Sequence, residues 1–166
     1  MTLKLKHPFT LNVAGPSCCG KSTFVIRLLE CREQLYDIAF DNIVWCHSEN
    51  NAPHHLKSVS FVKVIPDFEN PENIPTLIML DDFMDSAYST KVSQLFTKES
   101  HNRNISRVLI TEKLFHQSPS SRDISSNSRY IVVFKNPRDK TQIVHLVRQV
   151  YPENISTFHK TYQRSL

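Results

Sequence analysis

The chain has 166 residues and a mass of 19.3 kDa, enough for one domain, read here as residues 1–166, with a buried core. It is 40% hydrophobic with a mean hydropathy of −0.34, and no apolar run approaches the roughly 20 residues of a membrane span, which excludes a helical membrane protein. The net charge of +4 conceals an asymmetry: residues 1–83 carry 7 Lys/Arg against 10 Asp/Glu, residues 84–166 carry 13 against 6, and such a basic half fits either a polyanionic partner such as DNA or a solvated surface.

The N-terminal MTLKLKHPFTLNV is basic but has neither the long apolar region nor the cleavage site of a secretory signal. Cys18, Cys19, Cys31 and Cys46 all fall in the first third and make no disulfide framework. Together these features predict an intracellular protein of a reducing compartment: cytoplasm, nucleus or virus factory. Residues 9–14 (FTLNVA) read as a strand. It runs into GPSCCGKST, which holds the only two glycines of the chain, Gly15 and Gly20, and matches G-x-x-x-x-G-K-[ST]. A helix predicted over 21–33 leaves the loop.

Strand, loop and helix in that order predict a nucleoside-triphosphate site formed by Gly15, Pro16, Ser17, Cys18, Cys19, Gly20, Lys21, Ser22 and Thr23. The glycines are expected to make room for phosphate against the main chain, and the helix N-terminus to attract the anion. Lys21 would reach the β- and γ-phosphates, and the Ser22 hydroxyl would ligate Mg²⁺. Cys18 and Cys19 read either as a redox-sensitive pair or as tolerated small residues, the latter favoured because only their backbone matters.

Residues 42–46 (NIVWC) and 60–65 (SFVKVI) read as strands separated by the polar stretch 48–57. Cys46, His47, His54 and His55 lack the paired spacing of a zinc site, and Trp45 reads as core. Residues 76–80 (TLIML) form the next strand and end in Asp81-Asp82, at the sheet edge where the phosphate loop also lies. Asp81 would hold Mg²⁺, and Asp82 would orient or deprotonate an attacking water; the bland alternative is a pair of helix caps. A helix is predicted over 86–98, strands over 107–111 (RVLIT) and 130–135 (YIVVFK), and a helix over 138–150 with Ile143, Leu146, Val147 and Val150 at helical spacing. Residues 117–129 are polar and turn-rich, with room for a short helix. Strands alternating with helices predict a mostly parallel α/β sheet.

LFTKESHNRNISRVLITEKLFHQ (95–117), followed by SRDISSNSRYIVVFKNPRDKTQIVHLVRQVYP (121–152), resembles the genome-packaging ATPases of Polinton/Maverick elements and adintovirus-like genomes. Those are similar to poxvirus packaging ATPases and, more distantly, to FtsK/HerA DNA pumps. The resemblance runs from about Phe9 to Pro152. It implies a RecA-like (ASCE) P-loop NTPase, a three-layer sandwich with strand order 5-1-4-3-2 in which RVLIT is inserted between the loop strand and the aspartate strand. It further implies an ATP-driven, Mg²⁺-dependent motor, a homo-oligomeric ring (a hexamer) that moves double-stranded DNA into a capsid, and a capsid or portal partner.

On the same resemblance Glu112, within TEK, stands where relatives present a glutamine to the γ-phosphate, and it would pair with Lys113 or serve as a base. Arg103, with Arg107 as the alternative, would be offered to a neighbour's ATP. Arg122, Arg129, Lys135, Arg138, Lys140 and Arg148 would face DNA. Relatives continue into another strand or two beyond the tail YPENISTFHKTYQRSL, so the chain reads as a shortened copy. With Glu112, that keeps open a degenerate nucleotide-binding protein with little or no turnover, and less favourably a small-molecule kinase.

Overall fold

β-Branched and aromatic runs become six strands: β1 (Thr10–Ala14), β2 (Asn42–His47), β3 (Ser60–Val62), β4 (Thr76–Asp81), β5 (Ile105–Thr111) and β6 (Tyr130–Val133). The computed structural model describes residues 4–48, 52–65, 70, 72–83, 86–97, 104–115 and 119–164. All strand pairs are parallel, in the order β3-β2-β4-β5-β1-β6. With β1, β2, β4, β5 and β6 counted as five core strands, this is the expected 5-1-4-3-2. It differs only by β3, added at the edge beyond β2. β1, β2, β4 and β5 are buried along almost their whole length, which explains why their sequences run apolar instead of alternating.

Among the described residues the helices are α1 (Lys21–Glu30), α2 (Arg32–Leu35), α3 (Ser86–Thr97), α4 (Pro119–Ser126), α5 (Thr141–Val150) and α6 (Ile155–Arg164). The single helix expected over 21–33 breaks at Cys31, whose ψ of 18° leaves the helical region, and resumes as α2. The helix expected from Arg138 begins instead at Thr141. Helix α4 lies in the polar stretch, anchored by the buried Ile124, and α6 occupies the tail. A short 3₁₀ turn, Pro152–Asn154, joins α5 to α6, and Tyr162 of α6 accepts the Asn136 N–H through its hydroxyl at 2.9 Å.

Apolar side chains fill both faces of the sheet. Leu11, Val13, Trp45, Met79 and Ile110 pack with Val25 and Leu29 of α1 on one face. On the other, Cys46, Ile78, Leu80 and Leu109 pack with Val92, Leu95 and Phe96 of α3 and Ile124 of α4. Burying each large aliphatic side chain stabilises the fold by about 1.5–3 kcal/mol. Trp45 is wholly buried, as core was expected to be.

The strand alternation that builds these layers also separates Cys46 from His47, which point to opposite faces. His47 instead meets the His54 ring edge-on at 5.9 Å, and His54 lies 4.6 Å from Phe61. Among the described residues no group of three or more His, Cys, Asp or Glu could hold a metal ion. Burial pushes the Cys46 thiol up to about 12, whereas Cys18 and Cys31 are exposed. In the native protein a thiol reagent at pH 8 should therefore modify Cys18 and Cys31 quickly and Cys46 only after unfolding. Mass spectrometry that finds Cys46 labelled at the rate of Cys31 would contradict this packing.

Candidate phosphate-binding site

The C-terminal ends of the strands bring the predicted residues to one edge. Register places Ala14 beside Thr111, and Asp81 between His47 and Ile110, so the loop after β1 and the segments after β4 and β5 lie next to one another. Gly15 N–H bonds the Thr111 carbonyl at 3.1 Å, and Phe24 N–H bonds the Gly20 carbonyl at 2.9 Å, where α1 starts.

Two residues of the loop, Cys18 (φ 61°) and Gly20 (φ 98°), lie in the left-handed region, the alternation that turns successive N–H groups into an anion-binding concavity. A Cβ on Gly20 would meet only Phe134 Cε1, at an ordinary contact distance of 3.9 Å, so conformation is what requires glycine there. Gly15 differs. An added Cβ would lie 2.5 Å from Phe134 Cβ and 2.9 Å from Cys19 Sγ. Its glycine makes room for the exit of β6, a requirement that the sequence reading did not include. The Phe134 ring then packs edge-on against Phe24 at 5.9 Å, fastening β6 to α1.

No side chain caps the N-terminus of α1. Its first-turn N–H groups therefore remain to bind an anion, with the helix dipole adding to the attraction. Lys21 Nζ donates to the Gly15 and Pro16 carbonyls at 2.7 and 2.8 Å, which lays the ammonium across the loop. Ser17, Ser22 and Thr23 are exposed beside it. Glu112, exposed at the exit of β5, accepts a hydrogen bond from Ser17 Oγ, so its partner is the loop and not Lys113.

Asp81 ends β4 half-buried. Burial, and secondarily the negative charge of Asp82, raises its carboxyl above the ordinary carboxylate range; Trp45, the Lys21 ammonium and His47 pull the other way. The wholly buried Trp45 Nε1–H lacks a partner of full hydrogen-bond geometry, yet it stands near enough to favour the Asp81 anion. Asp82 is exposed at φ 59°, its N–H on the Ile110 carbonyl at 3.3 Å and its carbonyl accepting Ser48 Oγ at 3.3 Å. A left-handed aspartate at a strand exit is a strained position of the kind that clusters at functional sites.

Arg103 lies outside the described residues. Arg107 does not fit the trans-arginine alternative: it is entirely buried within β5, and its Nη1 donates to the Ile105 carbonyl at 3.2 Å. Lys135, Arg138 and Lys140 follow β6 at the loop end, whereas Arg129 precedes it at the opposite end with its guanidinium 5.7 Å from the Tyr130 ring centre. Arg122 sits on α4, and Arg148 on α5.

Phe134, Asn136, Asp139 and Gln142, given no site role in the sequence reading, line the β6 side of the loop, where they form a shallow cleft with Gly15, Glu112 and their neighbours. The Asp139-x-x-Gln142 spacing before a helix, a capping-box pattern, was the available signal.

The arrangement offers main-chain donors, an ammonium and a carboxylate at one edge. The Ser22 hydroxyl and the Asp81 carboxylate are hard oxygen donors of the type that suits Mg²⁺, an ion that keeps several waters.

No protein-family model matches the sequence, and no curated protein is significantly similar to it. Solved structures do share its fold. The genome packaging NTPase B204 from Sulfolobus turreted icosahedral virus 2, in complex with AMP, is 12% identical with a TM-score of 0.58, over 90% of this chain and 87% of its own. The cytoplasmic domain of EssC is 15% identical with a TM-score of 0.56, over 84% of this chain, which spans only 33% of the EssC chain. Cdc6p from Pyrobaculum aerophilum is 14% identical with a TM-score of 0.50, over 87% of this chain and 42% of its own. At these identities the likeness shows the fold alone, a parallel α/β sandwich.

Proposed function

We propose that the chain binds ATP with Mg²⁺ and hydrolyses it, and that hydrolysis drives double-stranded DNA through a homo-oligomeric ring toward a capsid. The observation that carries the nucleotide part is the convergence at one sheet edge of the uncapped α1 N-terminus, Lys21 and Asp81, close enough for Lys21 to perturb the Asp81 carboxyl. Main-chain N–H groups of residues 15–23 would hold the phosphates, and Lys21 would leave its loop carbonyls for the β/γ oxygens. Ser22 and Asp81 would hold Mg²⁺, which when bound neutralises charge on the phosphates. Asp82 would orient the attacking water and accept its proton. Arg103, proposed to serve a neighbouring subunit, would couple turnover to assembly. The motor part rests on the HNRNIS and FKNPRDKTQI segments and on the packaging-NTPase fold. Among the described residues no helix is long and apolar enough to cross a membrane.

ATP turnover measured with and without duplex DNA tests this reading. A DNA-driven motor should be stimulated by duplex and by protein concentration. DNA affinity should fall with salt at a slope of roughly −0.9 per phosphate neutralised. A flat salt response with unstimulated turnover would dismiss the motor.

One contact favours the second reading, a degenerate binding protein: the Glu112 carboxylate occupies Ser17 of the loop, where it opposes a triphosphate of the same sign. Glu112→Gln keeps the hydrogen bond and removes the charge. If wild type binds ATP without turning it over, and the variant gains about tenfold or more in rate, roughly 1.4 kcal/mol, the degenerate reading holds.

A further inference from the structure

A polar network beside the phosphate loop joins α5 to the segment after β5. Gln142, the second residue of α5 and half-buried, accepts the Leu114 N–H at 2.8 Å and the Phe115 N–H at 3.3 Å through one oxygen, Oε1. Its Nε2 donates to Asp139 Oδ2 at 2.5 Å, and Thr141 Oγ donates to Asp139 Oδ1 at 2.5 Å. These bonds, Thr141's first, hold the Asp139 carboxyl below the usual carboxylate range. An anion that only accepts forces the amide to present its nitrogen, so the oxygen must face the 114–115 peptides.

At the other end of the segment, Thr111 Oγ donates to the Lys113 carbonyl at 3.2 Å, and Leu114 is buried. Glu112 thus sits on a short span tied at both ends. Its own side chain is exposed, and a free glutamate there would lose rotamer freedom in meeting a single partner. The tied backbone aims it at Ser17.

We propose that Gln142 is a positioning residue for Glu112: oriented by Asp139, it clamps residues 112–115 so that Glu112 meets Ser17 and holds the phosphate loop closed. This rests on the proposed nucleotide chemistry of that loop, but its structural half is measurable without nucleotide. A side chain of α5 thereby sets the geometry of a site whose groups come from β1, β4 and β5.

The experiment compares wild type, Gln142→Leu and the double variant Asp139→Asn/Gln142→Glu by hydrogen exchange of segments 111–117 and 15–20. Binding of a fluorescent ATP analogue and ATP turnover are measured alongside. Gln142→Leu should speed exchange about tenfold in both segments, as loss of a hydrogen bond or two predicts. Binding of the analogue should not weaken, since a Glu112 carboxylate released from Ser17 no longer opposes the triphosphate there. In the double variant donor and acceptor trade places: the amide at 139 donates to the carboxylate at 142, whose oxygens still accept from 114 and 115. Exchange in both segments should return to within about twofold of wild type, the conservative rescue expected of two residues acting as one unit.

The proposal is overturned if Gln142→Leu leaves segment 15–20 unchanged, or if the double variant fails to restore it. Should Gln142→Leu loosen the whole sheet, the double variant alone decides in the same way. Failure of the nucleotide reading looks different: wild type would not bind the analogue, while exchange in the two segments would still rise and recover together.

Discussion

Replacing Lys21 with methionine is expected to lower ATP turnover by about 10²–10³-fold, the usual cost of losing one charged group that stabilises transferring phosphate. The physical reason lies in its two present partners. The ammonium lies 2.7 Å from the Gly15 carbonyl and 2.8 Å from that of Pro16, on the loop that would surround the phosphates. Methionine keeps most of the aliphatic length and packing but offers neither donor nor charge. Stability should change little, because Lys21 is only half-buried and outside both core clusters.

A second consequence runs through Asp81, whose anion Lys21 favours. Without the ammonium the carboxyl should rise further, so that Mg²⁺, which requires the deprotonated form, is lost at a higher pH on acidification. Calorimetric titration of Mg·ATP into wild type and variant across pH 5–8 measures both effects. Equal affinity and turnover in the two proteins would remove the phosphate-binding assignment of the loop.

Gly15→Ala should be the most destabilising single-methyl change in the loop. The new Cβ would meet Phe134 Cβ at 2.5 Å, a distance real contacts do not reach, and the obstacle is an atom anchored to the β6 exit and not the far end of a flexible side chain. Overpacking of this kind costs about 1–3 kcal/mol. For a domain of this size that lowers Tm by roughly 2–4 °C per kcal/mol.

The clash makes an unusual demand on the rescue. Phe134→Ala keeps the offending atom and should not relieve Gly15→Ala, whereas Phe134→Gly removes it and should show a favourable coupling of about 1 kcal/mol or more in a double-mutant cycle. A Gly15→Ala protein as stable as wild type, with unchanged nucleotide affinity, would show that β6 does not press on the loop as described.

The loop signature, the acidic strand end and the alternation of strand and helix were all legible in the residues. Each depends on chemistry local to a few positions: left-handed backbone at Gly20, a lysine at the start of a helix, apolar runs too continuous for a one-sided sheet. Even the insertion of β5 between β1 and β4 was open to anticipation through the resemblance of its flanking segments. Helix boundaries were less so. The break at Cys31 and the start of α5 at Thr141, after the Asn136–Asp139 turn, rest on local bonds that periodicity alone does not mark.

Other features belong to the tertiary structure alone. The glycine at 15 is required by a phenylalanine 119 positions later. Arg107, a plausible surface arginine in the sequence, is sealed within β5 because helices cover both faces of that strand. Glu112 finds Ser17, and Gln142 finds the 114–115 peptides, only because parallel strands with crossovers carry remote segments to one edge. Local conformation is written in short-range sterics and periodicity, and residue order suffices to read it. Which side chains oppose each other across that edge depends on contacts between residues far apart in the chain, and those form only once the sheet has closed.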